Sequence, residues 1–186
     1  MVTITLPAVN IEMLKTQTPF GALVVPGHCI PEKRVDVNPA QISELISAAR
    51  EAAANAYAPY SHFRVGAAVL MDDDPTATIY RGVNVENSSY GATVCAERTG
   101  LLHSNALGFR RLRYLAVSTF DALHSPLAER SPCGICRQTI KEFIGHSIDA
   151  DEALIFIDNG AEDTLCEVFD IERLLPYGFN FAGARV

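Results

Sequence analysis

The sequence predicts a three-layer α/β/α fold in which a mixed sheet of five strands carries helices on both faces. Three observations lead there. Between residues 65 and 157, apolar strand-like runs and helix-like runs follow one another as strand, strand, helix, strand, helix, strand. A strand–helix–strand unit implies parallel strands joined by a right-handed crossover. Turn signals at Asp72 to Thr76 and at Asp158-Asn159-Gly160 add an antiparallel hairpin at each end of the run. The third observation is size: 186 residues, 48% hydrophobic and 20% charged, suit one such core in a soluble chain.

Taken in order, residues 1–37 hold Pro7, Pro19, Pro26 and Pro31, which forbid a long helix. They read as an N-terminal extension, a partly ordered arm ahead of a domain spanning 38–186. Asn38 then stands as an N-cap, Pro39 at the first helical position and Gln41 as its capping-box partner. Ile42, Leu45, Ile46, Ala49 and Ala53 follow at helical spacing, so a helix is expected from 39 to about 57, ended by Tyr57-Ala58-Pro59-Tyr60. Val65 to Met71 is small and apolar, as in a buried strand, and Ala77 to Asn84 is the second strand of a hairpin. A helix over 95–107 follows, with Leu101, Leu102 and Ala106 as its apolar positions. Arg113 to Phe120 is a third strand. A helix over 133–144 presents Ile140, Phe143 and Ile144. Ala153 to Ile157 and Thr164 to Val168 read as an antiparallel pair, and Ile171 to Leu175 as a short helix before Pro176-Tyr177-Gly178-Phe179.

The chemistry concentrates in Cys95-Ala96-Glu97 and Pro132-Cys133-Gly134-Ile135-Cys136. Three thiolates bind Zn²⁺ and leave the fourth tetrahedral position open, the arrangement of a catalytic rather than a structural zinc. Cys133 and Cys136, three apart, share one face of a helical first turn. Cys95 and Glu97, two apart, address one ion together only if it lies beyond a helix N-terminus, which puts Cys95 at a helix start. Both helix starts then aim at the metal, where unpaired N–H groups and the positive dipole end stabilise thiolates. Arg98 and Arg137 stand close enough in sequence to add to this. Alone, Cys-x-x-Cys is equally a redox pair or half a structural zinc site. Cys95 and Glu97 upstream turn the reading to catalysis. A plainer role for Glu97, an acid favouring the dipole of a first turn, would keep the zinc and lose the reaction.

Composition excludes several classes. The net charge of −7, with scattered Lys and Arg, argues against a nucleic-acid partner, which needs a basic patch. Five cysteines, three assigned to a metal, leave Cys29 and Cys166. That is no disulfide framework and suits a reducing compartment. No apolar run of about 18 residues is present to span a membrane, and the N-terminus lacks a secretory pattern. The expected location is the cytoplasm.

The element order and motifs together resemble the cytidine deaminase family, in its small class acting on free nucleosides. The resemblance runs from about residue 38 to 180. It rests on Pro59-Tyr60-Ser61-His62-Phe63-Arg64-Val65-Gly66-Ala67-Ala68, Gly82-Val83-Asn84-Val85-Glu86-Asn87, Cys95-Ala96-Glu97-Arg98-Thr99, Ser131 to Gln138, and Leu174-Leu175-Pro176-Tyr177-Gly178-Phe179. The zinc pair follows the deaminase pattern H-x-E…P-C-x-x-C with cysteine in place of histidine. The resemblance implies one Zn²⁺ per subunit on Cys95, Cys133 and Cys136, with Glu97 as proton shuttle. It implies that Asn84 and Glu86 meet the ribose hydroxyls and that Phe63 packs on the pyrimidine. The backbone N–H of Ala96 would meet the base carbonyl, and the backbone C=O of Ser131 the amino group. Arg98 would hydrogen-bond the ligand sulfurs and soften their charge. Tyr60 and Phe179 match residues that neighbouring subunits of a homotetramer bring to the site. The implied reaction is hydrolytic deamination of cytidine and deoxycytidine in pyrimidine salvage. One rival is a deaminase of a related aminopyrimidine, such as a nucleoside antibiotic, nucleotide or polynucleotide; the other is a zinc-stabilised binding protein. Polynucleotide deaminases pair the fifth strand in parallel, which the hairpin expected here disfavours. No role is assigned to Gly91-Ala92-Thr93-Val94.

Overall fold

The computed structural model describes residues 1–145, 153–160 and 165–180. The chain divides into two compact units, Met1–Asn38 and Pro39–Val186. The first is an antiparallel ribbon of six short strands folded back between Thr18 and Gly21. They are β1 (Val2–Leu6), β2 (Val9–Ile11), β3 (Leu14–Thr18), β4 (Gly21–Val25), β5 (His28–Ile30) and β6 (Lys33–Val37). They pair as β1 with β6, β2 with β5 and β3 with β4. The sequence pattern suggests no strand here because the prolines dominate it. In the structure they punctuate it: Pro7 and Pro31 separate the outer ladder from the middle one, Pro26 follows β4, and Pro19 sits in the turn. At those places a residue without an N–H breaks no ladder bond.

The second unit is the mixed five-stranded sheet with helices on both faces. Helix α1 (Pro39–Ala53) leads to β7 (Val65–Met71) and β8 (Ile79–Val83), then α2 (Ala96–Ala106) and β9 (Leu112–Thr119). A single turn, α3 (Leu127–Arg130), precedes α4 (Gly134–Gly145), β10 (Leu154–Ile157), β11 (Glu167–Phe169) and the short α5 (Ile171–Leu174). The sheet order is β11-β10-β9-β7-β8, with β9 and β10 parallel and the other neighbours antiparallel. Strands β8 and β9 therefore run the same way with β7 between them, so the α2 crossover steps over one strand. The expected start of the fifth strand at Thr164 lies outside the described residues. Helix α1 stops four residues short of the expected end. Its last carbonyls bond three residues on, Ala52 to the Asn55 N–H at 2.9 Å and Ala53 to the Ala56 N–H at 3.1 Å. Tyr57 then donates to the Asn84 carbonyl at 3.0 Å, a partner beyond the sheet hairpin.

Two glycines show how closely the layers approach. A Cβ on Gly66 would lie 2.0 Å from the Ala49 carbonyl oxygen of α1, and one on Gly82 2.2 Å from the Ala96 carbonyl oxygen of α2. Gly82 pairs with Ala67, one place from Gly66, so the two helices cover opposite faces. On the α2 and α4 side Val69, Leu101, Leu115, Ile140 and Ile155 are fully buried. On the other side Tyr114 and Phe156 meet edge to face, their centroids 5.4 Å apart. There the Arg50 fork on α1 holds the fully buried Asp158 at 2.7 and 2.6 Å, and the Ser118 hydroxyl donates to the same carboxylate at 2.7 Å.

Because backbone, not a flexible side chain, meets that Cβ on Gly82, Gly82→Ala is expected to lift α2 off β8 and to cost about 3 kcal/mol, the upper range for overpacking. Urea unfolding of the two proteins measures it. An unchanged midpoint would show that the helix can slide without loss.

Candidate metal centre and active site

Cys95 is the N-cap of α2, with extended backbone at φ −74° and ψ 157°. Its carbonyl accepts the first helical bond, from the Thr99 N–H at 3.1 Å. Cys133 plays the same part for α4, accepting from the Arg137 N–H at 2.9 Å, so Cys136 alone lies within that first turn. The approach to Cys95 passes through the stretch left without a role. Tyr90–Ala92 makes a 3₁₀ turn, and Val94 exchanges two backbone bonds with Val85, at 2.9 and 3.0 Å. That bridge fixes the start of α2 beside the Asn84–Glu86 segment.

The three Sγ atoms lie within 4.8 Å of one another. Cys95 to Cys133 is 3.9 Å and Cys133 to Cys136 is 3.5 Å. Tetrahedral coordination at a Zn–S length of about 2.3 Å puts sulfurs about 3.8 Å apart, so the residues fit zinc. Their charge state makes the same point. The Cys136 thiol and the Arg98 guanidinium, 3.8 Å from Cys95 Sγ, pull Cys95 down to about 5. The hydrogen bond it gives Cys95, with burial, pushes Cys136 up. Three sulfurs this close cannot all be thiolates without a cation to hold them. Arg98 also donates to the Thr93 carbonyl at 3.0 Å.

Glu97, in the first turn of α2, is only 4% exposed. Burial raises it to about 7, where a carboxyl group both takes and gives a proton near neutrality. A cavity of about 700 Å³ opens over it, walled by Phe63, Asn84, Glu86, Glu97, Ser131 and the outer two thiols, with Thr93, Val117 and Arg137 among the others. Glu86 accepts from the Tyr60 N–H at 2.8 Å, the Ser61 N–H at 3.2 Å and the Ser61 hydroxyl. The Ser61 bond, with these N–H groups, holds it below the usual glutamate range. Asn84 accepts from the Val65 N–H and donates to the Phe63 carbonyl, both at 2.8 Å. The two residues thus also fix the chain leading into β7. Ala96 is buried as the first residue of α2, where its N–H has no partner within the helix. Tyr60 and Phe179 are exposed and stand outside the cavity wall.

Ser61, Arg130 and Gln138 carry no expected role from the sequence. The buried Arg130 forks onto Glu167 at 2.8 and 2.9 Å and donates to the carbonyls of Ser125 and Asp158. This braces the segment entering the Cys133 loop. The Gln138 amide donates to the Phe179 carbonyl at 2.9 Å and accepts from the Phe179 N–H at 3.0 Å. The available signal was position: Ser61 and Gln138 lie inside the quoted motifs, and Arg130 directly precedes one.

The family profile described as "Cytidine and deoxycytidylate deaminase zinc-binding region" matches residues 39–148. The chain is 39% identical over 139 residues to a cytidine deaminase of Sporosarcina psychrophila, spanning 75% of this chain and 91% of that one. To a cytidine deaminase of Halalkalibacterium halodurans it is 45% identical over 136 residues, spanning 73% and 92%. The crystal structure of cytidine deaminase from Burkholderia pseudomallei is similar at a TM-score of 0.60 and 37% identity, covering 73% of this chain and 97% of that one. No helix among the described residues is long and apolar enough to cross a membrane.

Proposed function

This chain belongs to the cytidine deaminase family, and from that premise we propose that it hydrolyses cytidine and deoxycytidine to uridine and deoxyuridine with release of ammonia, in pyrimidine salvage. The observation that carries this reading is the buried Glu97 beside three converging thiols at the floor of one cavity. Cys95, Cys133 and Cys136 would hold one Zn²⁺ per chain, and such an ion activates water as a nucleophile by lowering its pKa toward neutrality. Glu97 takes the proton that water gives up, carries it to ring N3 and then serves the departing amine. Phe63 on the wall offers a face to the pyrimidine. The Ala96 N–H and the Ser131 carbonyl orient its two polar substituents, and Asn84 and Glu86 take the ribose hydroxyls. Supporting the last assignment, a carboxylate has about four acceptor positions, and Glu86 spends three. Residues 38–186 form the deaminase domain and 1–37 an extension outside the chemistry, in keeping with a family match that starts at residue 39.

The substrate is read as an uncharged nucleoside. Phosphate recognition needs a free cation. Arg64 forks onto Asp121 at 2.6 and 3.0 Å and Arg81 meets Glu51 at 2.7 Å. Arg130, on the cavity wall, is spent on Glu167. Strand β11 is antiparallel to β10, in line with a small substrate. Absorbance assays on one preparation, with zinc measured on the same sample, should give cytidine a kcat/KM at least about 10²-fold above CMP, since like charges brought together cost several kcal/mol. Parity would contradict the reading of the pocket's charge.

The assembly is proposed as a homotetramer with sites shared between subunits. Tyr57, Tyr60, Tyr90, Tyr177 and Phe179 are exposed on this unit, and aromatic residues are enriched at interfaces. Light scattering should return four times the chain mass of 20.2 kDa; an active monomer would contradict it. The cytoplasm is proposed because ligand thiols must stay reduced, a placement that cell fractionation checks.

A further inference from the structure

We propose that Arg137 is a positioning residue that gives one wall of the cavity a hydrogen-bond polarity suited to an amino group and unsuited to the oxo group that replaces it; this rests on reading the cavity as a cytidine site. The Arg137 guanidinium, in the first turn of α4, reaches three groups on two segments, one just ahead of its helix and one 37 residues on. Nε donates to the Pro132 carbonyl at 2.7 Å, Nη2 to the Ser131 hydroxyl at 3.0 Å and Nη1 to the Leu174 carbonyl at 2.7 Å. The acceptors on either side of the Ser131 carbonyl are thereby spent. The Ser131 N–H is spent too, on the Leu127 carbonyl at 2.8 Å, and Pro132 has none to offer. On the backbone, what the segment leaves is the Ser131 carbonyl oxygen, which no donor among the described residues reaches, while Nη2, bonded to the hydroxyl oxygen, restricts where the Ser131 O–H can point. Ser131 and Pro132 both line the cavity.

A fixed lone acceptor pairs with one N–H of an exocyclic amino group, which has two to give. It sets lone pair against lone pair when an oxo group takes that place. The arginine also governs the alternative. Released from Nη2, the Ser131 hydroxyl would be free to turn and donate to an oxo group from the same wall. A planar fork is the group that can hold two adjacent acceptors at once, which an ammonium cannot do with the same geometry. Arg137 therefore separates substrate from product without touching either, favouring entry of the amine and departure of the oxo compound.

The test uses the full zinc-loaded chain. Cytidine turnover by the unaltered protein, measured first, examines the underlying reading alone. Arg137→Ala and Arg137→Lys are then compared for KM and kcat on cytidine and for inhibition by uridine, with zinc content recorded. The expected result is a KM for cytidine raised about tenfold, the worth of one lost hydrogen bond. The uridine inhibition constant should hold or fall, since the released Ser131 hydroxyl can donate to the oxo group, and guanidinium ion should recover part of the cytidine loss in Arg137→Ala. If both ligands weaken equally, or neither does, the proposal is overturned, because a merely structural arginine would leave their ratio unmoved. Should Arg137→Ala shed its zinc, Arg137→Lys carries the same ratio test.

Discussion

Glu97→Gln is expected to fold and to bind its zinc like the parent while losing about 10²–10⁴-fold in kcat, the range for a general acid–base group. The amide is close to isosteric and leaves the three thiols as they are. It cannot accept a proton, and one carboxyl serves both transfers, so the loss should fall at the upper end. The environment argues the same way. Glu97 is buried and held near 7, so the substitution removes a group tuned to change charge at neutral pH. Single-turnover deamination of cytidine with zinc content measured alongside checks the expectation. Near-normal turnover would show that another group carries the proton.

Cys133→Ala should reduce bound zinc from about one per chain to a small fraction and abolish deamination. Two remaining sulfurs hold the ion far more weakly than three, and metal binding is itself folding free energy in such sites. Cys133 is the informative choice because it is exposed while Cys136 is wholly buried. Truncating the exposed thiol costs little in packing, so a fall in thermal stability reports the lost metal rather than a cavity. Metal analysis after dialysis, with a melting curve on the same sample, decides. Full zinc occupancy would remove Cys133 from the ligand set.

The sequence made some of this legible and not the rest, for physical reasons that separate cleanly. Strand β7 falls on the residues expected, Val65–Met71, because a run of small apolar residues between turn signals has few alternatives. The metal cluster was legible because thiol spacing, helix starts and a nearby carboxylate constrain one another. The end of α1 was not, since Tyr57 leaves the helix for the Asn84 carbonyl, a partner no local pattern announces. The β8 to β9 crossover reads as a parallel neighbour pairing, but β7 takes the place between them. The ribbon of residues 2–37 is set by cross-strand pairing over as many as 35 positions, as between Val2 and Val37, while its prolines signal locally only that no long helix forms. Arg130 and Gln138 escaped for a related reason: Asp158, Glu167 and Phe179, which they hold, lie 28 to 41 residues away in the chain.

The Gln138 amide grips Phe179 by its peptide groups alone, N–H and carbonyl together, while the residue stands 68% exposed. Where the tail runs is thus decoupled from what the tail displays. Any residue with a peptide N–H can occupy position 179 without moving the strap, so its side chain is open to selection on its own account. A lineage can exchange the aromatic for a smaller or more polar group in one mutational step and leave the zinc loop undisturbed. The helix that carries Cys136 is in this sense also a mount for an interchangeable part.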